Sequence, residues 1–301
     1  MAAGGARIAI SGASGLVGRR LGKALEADGH TLLRLVRREP ARRGEVLWDP
    51  ASGRLDPAAL EGIDAFVHLS GESIASGRWS TARKREIVES RTVTTRLVSA
   101  ALARLASKPV LVSASAIGYY GDRGGEWLDE TSPPGRGFLP EVCVEWERAC
   151  DAARAAGLRV VNPRIGVVLD PSGGALAAML LPFRFGLGGK LGSGSQYVAW
   201  ITLDDLVGAI RHCIVSETLS GPVNAVAPAP VTNAELTTAI ARALGRPAFL
   251  RVPATALRLA LGEAADELLL GGARVSSRKL EASGYEFRDR DVDRALARLL
   301  G

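Results

Sequence analysis

Hydrophobic and polar positions run through the chain in short blocks whose period keeps changing. Near the start, Arg7 to Ser11 (RIAIS) alternates Ile8 and Ile10 as a buried strand does, and Val17, Leu21 and Leu25 then carry helical spacing as far as Ala27. Gly29 closes that helix and His30 to Val36 (HTLLRLV) predicts a second strand, so one β-α-β unit fills the first 36 residues. The alternation returns downstream. Ala65 to Leu69 (AFVHL) and Pro109 to Ser113 (PVLVS) predict strands, and Thr81 to Ala103 predicts a long helix between them. Arg159 to Leu169 (RVVNPRIGVVL) predicts one more central strand. Strands separated by helices imply right-handed crossovers and a parallel sheet covered on both faces.

Between the first strand and helix, Gly12, Gly15 and Gly18 recur at intervals of three. A glycine-rich turn there lets backbone come close to a ligand and aims a helix N-terminus, with its free N–H groups and positive dipole end, at an anion such as a pyrophosphate. The alternative is a plain tight turn, since the spacing is G-x-x-G-x-x-G and not G-x-G-x-x-G. The expected fold class is therefore α/β, a Rossmann-like doubly wound parallel sheet, with Gly12, Ser14, Gly15, Leu16, Val17 and Gly18 as candidate dinucleotide contacts. An NAD-selective site carries an acid at the end of its second strand; this chain has Val36 followed by Arg37 and Arg38. Two guanidinium forks suit a 2'-phosphate, so NADP(H) is expected in preference to NAD, the bland alternative being two solvated arginines. Leu69, Ser70, Gly71 and Glu72 after the third strand, and Ser113 at the end of the fourth, complete the expected cofactor edge.

Past residue 170 the texture changes to a glycine-rich stretch, Gly186 to Gly194, followed by helical patterns over Ala234 to Leu244 and Thr255 to Leu270. We expect residues 1–170, with 195–230 returning to them, to form the nucleotide-binding domain. Residues 171–194 and 231–301 are expected to form a smaller, partly helical substrate lobe over the carboxyl ends of the strands.

Composition narrows the functional classes. A 301-residue chain with 47% hydrophobic and 23% charged residues is long enough for a domain plus a lobe. The net charge of +6 comes from interspersed arginines, which fits anionic small molecules better than nucleic acid. Cys143, Cys150 and Cys213 show no C-x-x-C spacing, so neither a disulfide framework nor a zinc site is expected, and a reducing cytoplasm is. His30, His68 and His212 stand apart from one another and read as structural; no metal is expected. No apolar stretch approaches the 18 residues of a membrane span. The expected partner is a small-molecule substrate, with neither nucleic acid nor membrane, and the oligomeric state is left open.

The segments Ser11 to Gly18, His68 to Gly71 and Ser113 to Gly121 (SASAIGYYG) resemble the extended short-chain dehydrogenases/reductases, a group that includes nucleotide-sugar epimerases and dehydratases. More narrowly, Arg164 to Asp170 (RIGVVLD), Gly188 to Trp200 (GGKLGSGSQYVAW) and Lys279 to Phe287 (KLEASGYEF) resemble an atypical epimerase-like subfamily with an additional C-terminal domain of unknown function. The resemblance implies hydride chemistry at a carbonyl or hydroxyl carbon, with sugar nucleotides as the substrate class by analogy. It also implies a Ser that polarises the carbonyl, a place filled by Ser115, and a Tyr-x-x-x-Lys pair on the next helix, in which Lys lowers the phenol's pKa. No Y-x-x-x-K occurs in this chain; Cys143 falls in the Tyr slot and Glu147 in the Lys slot.

Replacements for the missing pair stay open. Tyr119 or Tyr120 is a phenol on the same edge, or packs against the cofactor. Cys143 and Glu147 are proton carriers, or a small buried residue and an ordinary helix residue, the latter free or in a salt bridge. Gln196 and Trp200 are candidate substrate contacts, Trp200 alternatively a core anchor, and Asp204 and Asp205 read as an N-cap ahead of Leu206 to Ile210. Two functions are compatible with this pattern. One is an NADP(H)-dependent oxidoreductase or epimerase-like enzyme; the other is a non-catalytic NADP(H)-binding sensor or regulator.

Overall fold

The computed structural model describes residues 5–301. Seven parallel strands form the main sheet: β1 (Arg7–Ser11), β2 (Thr31–Val36), β3 (Glu45–Asp49), β4 (Ala65–His68), β5 (Val110–Ser113), β6 (Val160–Ile165) and β7 (Gly221–Ala225). Their spatial order is β3-β2-β1-β4-β5-β6-β7, with Arg54–Leu55 antiparallel on the β3 edge and Ser115–Ala116 paired to β6 beyond the end of β5. The order reverses between β1 and β4, and that switch point is where open sheets of this kind hold a ligand.

Alternation along β1 explains the two covered faces. Ile8 and Ile10 pack with Leu21 and Leu25 of helix α1 (Leu16–Ala27) and with Leu206 and Ile210 of a C-terminal helix, Leu203–Val215. Ala9 points the other way, into a core with Phe66, Leu111 and with Val98 and Leu102 of α2 (Thr81–Ala103). A third core joins Leu176, Leu180, Trp200, Leu236, Ile240 and Leu296 in the C-terminal half.

Several elements depart from the sequence pattern. The expected strand Arg159 to Leu169 is two: β6 ends at Ile165, and Val167–Leu169 pairs with Trp200–Thr202 in a separate small sheet. The break falls at Gly166, where a Cβ would stand 2.6 Å from the Ala199 carbonyl. β3 and β7 were not marked by the apolar pattern: β3 is bounded by Glu45 and Asp49, and Pro222 and Asn224 break the apolar run of β7. The helix expected over Thr255 to Leu270 breaks at Gly262, whose φ is +64°, into Ala254–Leu261, Glu263–Ala265 and a π-helical turn Asp266–Leu270.

The tail does not stay with the C-terminal half. Leu280 and Phe287 enter the core beneath Leu203–Val215, and Asp205, 3% exposed, holds them there. Its two carboxylate oxygens accept from the backbone N–H groups of Arg288 and Asp289, both at 2.8 Å, and one also accepts from the Tyr285 hydroxyl at 3.1 Å. The expected aspartate N-cap is thereby corrected: Thr202 is the cap, accepting from the Asp205 N–H, and the Asp205 side chain is an anchor for the tail.

One buried polar chain crosses the switch point. Ser11 Oγ lies 2.5 Å from His68 Nδ1, and His68 Nε2 lies 3.2 Å from Thr94 Oγ1 of α2. Burial drives the imidazole's pKa down to about 3, so the folded protein holds it neutral. Between pH 6.5 and about 3 the unfolded chain binds a proton here that the folded chain does not. Stability from this group is complete above pH 6.5 and falls as pH drops, by about 1.4 kcal/mol per pH unit. We expect His68→Gln to lower by nearly one the protons taken up on unfolding at pH 5, measured from the pH dependence of urea unfolding. Identical pH slopes in the two proteins would refute the assignment.

Candidate active site

The turn after β1 has the shape a pyrophosphate needs. Gly12 has φ +72°, and a Cβ on it would stand 2.8 Å from the Leu69 backbone; a Cβ on Gly18 would run into the Gly12 carbonyl. These two glycines let β1, β4 and α1 close on one another. Gly15 is different: the nearest atom to its hypothetical Cβ is 3.3 Å away, and its N–H closes the turn onto Gly12. Gly15 is the N-cap of α1 with no side-chain cap, and the first turn carries no acid. The leading N–H groups at Leu16 and Val17 are thus left for an external anion. Ser14 and Gly15 are exposed, Leu69 and Ser70 half-buried. The Glu72 backbone is tied to α2, its carbonyl accepting from Arg91 at 2.9 Å and its N–H donating to Ser90 Oγ at 3.1 Å.

At the end of β2 the two arginines have separate fates. Arg38 forms a bidentate pair with Glu45 (2.6 and 2.9 Å), and Glu45 also accepts from the backbone N–H groups of Ala41 and Arg42. The Arg38 hydrogen bond, with these backbone donors, lowers the Glu45 carboxyl to about 2. Arg37 is exposed.

The sheet edge beyond β5 carries a connected set of buried side chains. Ser115 Oγ donates to Glu147 Oε1 at 2.7 Å. Glu147, on helix α3 (Phe138–Arg148), accepts a fork from Arg164 of β6: Nε to Oε1 at 2.8 Å and Nη2 to Oε2 at 2.9 Å. Arg164 Nη1 donates to the Tyr120 hydroxyl at 3.0 Å, and its guanidinium lies 3.4 Å above the Tyr119 ring. The Tyr120 hydroxyl in turn faces Asn224 Oδ1 at 2.7 Å and the Asp129 carbonyl at 2.9 Å. Arg164 and Glu147 side chains are 2% and 13% exposed, so the pair is almost dry and each charge depends on the other.

α3 is itself set by the C-terminal half. Glu267 accepts from the N–H groups of Phe138 and Leu139, both at 2.7 Å, filling the helix's first turn from a distant segment. Gly137 must be glycine for this, with φ +121° and a hypothetical Cβ 2.8 Å from the Glu267 carboxylate.

Of the side chains expected at the site, Ser115, Tyr119, Tyr120 and Glu147 belong to this connected set. Tyr120 is fully buried, and burial pushes its phenol up to about 12, which makes it a structural hydroxyl. Cys143 points its thiol at the Ala116 carbonyl, 3.7 Å away; burial, then the Glu147 charge, pushes it up to about 12. Three expectations need correction on position. Ser113 is wholly buried with an unpartnered Oγ, so it does not line an open groove. Trp200 is wholly buried and donates to the Ala229 carbonyl at 2.9 Å, a core anchor. Gln196 spends its amide on the Leu191 and Leu269 carbonyls, joining the glycine-rich loop to the π-helical turn. Sequence reasoning missed Arg164, Asn224 and Glu267. The one signal for Arg164 was a lone charge inside an otherwise apolar strand. An open groove of about 570 Å³ beside Arg20, Lys23 and Tyr285 shares no residue with the Ser115 set.

Comparison with known proteins agrees with this fold. Residues 8–224 match the NAD dependent epimerase/dehydratase family. The chain belongs to that family. Residues 252–299 match a domain of unknown function, DUF1731, as the resemblance in the tail implied. An epimerase family protein of Mycobacterium tuberculosis is 49% identical over 289 residues, 96% of each chain. The crystal structure of human epimerase family protein SDR39U1 with NADPH superposes with a TM-score of 0.87 at 34% identity, over 98% of this chain and 99% of that one. A nucleoside-diphosphate sugar epimerase from Corynebacterium glutamicum gives 0.83 at 38% identity, over 99% of this chain and 58% of that one. Among the described residues no cluster of three metal-ligating side chains occurs, and no helix is long and apolar enough to cross a membrane.

The Glu147 carboxylate has its cation supplied from β6. Removing that cation strands a buried carboxylate. We expect Arg164→Met and Glu147→Gln each to cost about 3–5 kcal/mol of stability, and the double variant to cost clearly less than their sum. Strictly additive losses in guanidinium unfolding would show that the two charges are not coupled.

Proposed function

We propose that this chain is an NADP(H)-dependent oxidoreductase or epimerase-like enzyme acting on a carbonyl or hydroxyl carbon of a small molecule. The observation that carries the proposal is the Ser115–Glu147 hydrogen bond at the sheet edge beside the cofactor turn. The cofactor supplies hydride transfer when bound. Gly12, Gly15, Leu16, Val17 and Gly18 would hold its pyrophosphate, Leu69 to Glu72 its adenosine side, and Arg37 the 2'-phosphate, on a loop braced by Arg38 and Glu45.

Ser115, itself buried, donates its O–H to Glu147, which leaves its lone pairs free to accept from a substrate hydroxyl. On oxidation of an alcohol, the substrate O–H proton passes to Ser115 Oγ while the Ser115 proton passes to Glu147 Oε1. On reduction the relay runs backward and the carbonyl oxygen takes the proton. Arg164 keeps the carboxylate oriented, and the exposed part of Glu147 is the outlet to solvent. Cys143, neutral and buried, takes no part. The human relative is described with NADPH and the Corynebacterium one as a nucleoside-diphosphate sugar epimerase, which supports the cofactor choice and makes sugar nucleotides the first substrates to screen. The three free, buried cysteines support a cytoplasmic setting.

Calorimetric titration should give NADPH at least about tenfold tighter binding than NADH, a preference that Arg37→Ala abolishes and that leaves NADH binding unchanged. No preference in the wild type would remove the Arg37 assignment. With a turned-over substrate, Ser115→Ala and Glu147→Gln should each lower kcat by about 10²–10⁴-fold with NADPH affinity intact. NADPH binding with no turnover of any carbonyl or alcohol, together with partner association that depends on cofactor redox state, would favour a sensor.

A further inference from the structure

We propose that Arg274 forms an oxyanion-binding clamp at the C-terminal side of the candidate active site, shaped to take a phosphate or carboxylate group carried by the substrate. The two-residue strands Trp127–Leu128 and Arg274–Val275 pair in parallel and set Arg274 directly opposite Trp127. Gly272 lets the chain press against the Tyr197 backbone, where a side chain would collide. The result is a guanidinium between two aromatic faces, 4.2 Å from the Trp127 ring centroid and 5.0 Å from that of Tyr197.

The donors of this guanidinium are unspent. Its Nε is buried without a partner, and no acceptor among the described residues bonds its terminal nitrogens. The acid on the neighbouring helix, Glu235, gives one oxygen to the Thr232 N–H (2.6 Å) and hydroxyl (2.9 Å) and makes no ion pair with Arg274. A stacked arginine has already lost the rotamer freedom that a ligand would otherwise have to freeze, and its planar fork matches an oxyanion bidentately. Trp127, 52% exposed, leaves a flat apolar face beside that fork for the group bearing the anion.

Both strands run from the clamp into the buried set around Ser115. Two residues beyond Trp127, the Asp129 carbonyl meets the Tyr120 hydroxyl; two beyond Arg274, the Ser276 carbonyl accepts from Asn224 Nδ2 at 3.1 Å. That is about 7 Å of extended chain at roughly 3.3 Å per residue. The clamp holds the far end of the substrate proposed above and in that sense rests on the same reading, but its test reads binding and not turnover.

The full chain, saturated with NADPH, is titrated with phenyl phosphate, benzoate and, as neutral control, phenol, by ligand-observed NMR. We expect at least one anion to bind about tenfold tighter than phenol, with phenyl phosphate or benzoate the stronger according to whether the substrate group is a phosphate or a carboxylate. Arg274→Met should lose about tenfold or more of that affinity, Arg274→Lys should fall between, and NADPH affinity should not move. If Arg274→Met fails to fold, Trp127→Ala keeps the charge and removes one ring, and is expected to weaken the anion about threefold. Wild-type affinity no better for the anions than for phenol, or unchanged in the folded variants, overturns the clamp. Anion binding through Arg274 in a protein that turns over nothing would sink the enzymatic reading and leave the clamp standing.

Discussion

The ion pair between Glu147 and Arg164 is the contact on which the site depends. Two charges removed from water are tolerable only while each satisfies the other, and the geometry here leaves little slack: a forked guanidinium, a carboxylate that also accepts from the Ser115 hydroxyl, and a phenol on the remaining nitrogen. Through this pair β6, α3, the Ser115 segment and the Tyr119–Tyr120 turn are fixed relative to one another. The Ser115 segment runs directly into the Tyr119–Tyr120 turn, but α3 and β6 are separate stretches of chain, so the pair does for the site what a crosslink would do, at the cost of dehydrating both groups.

The resemblance read in the sequence implies a cation one helical turn from a phenol on a single helix. In that register this chain has the carboxylate of Glu147, which cannot stand alone: a lone buried acid would be neutralised or expelled. The cation arrives instead from the adjacent strand. The same substitution leaves the Tyr slot facing a dry carbonyl, where a thiol is a small packing group. The charged pair thus spans a strand-helix seam, and Tyr120, although at the same edge, is consumed by structure.

Much of the framework was legible in the sequence because it depends on local period. The strand-turn-helix at Arg7 to Ala27, the strand at Val110, and the helix Thr81–Ala103 follow from spacing alone, and the closures at Gly12 and Gly18 follow from the absence of a side chain. Partners 17 to 129 residues apart leave no periodic trace. Glu147 was visible as a position, with a salt bridge among its readings, but its partner on β6 was not, and Glu267 sits in a stretch whose pattern says only helix. Trp200 and Gln196 were drawn toward the substrate by their neighbourhood to a glycine-rich loop, whereas burial and backbone acceptors claim both. The sheet's last strand escaped notice because Pro222 and Asn224 break its apolar run; pairing with β6 supplies what its own residues lack.

The Asp205 anchor has a consequence for the order in which the chain can be assembled. A carboxylate sealed under Leu203–Val215 is satisfied by the backbone of Arg288 and Asp289, residues made more than eighty positions later. During synthesis from the N-terminus, the nucleotide-binding sheet can pair its strands early, yet that helix cannot settle with its acid compensated until nearly the whole polypeptide has emerged. Residues that look like an appendage are therefore the closing piece of the first domain, and a chain stopped short of them is left with an open seam.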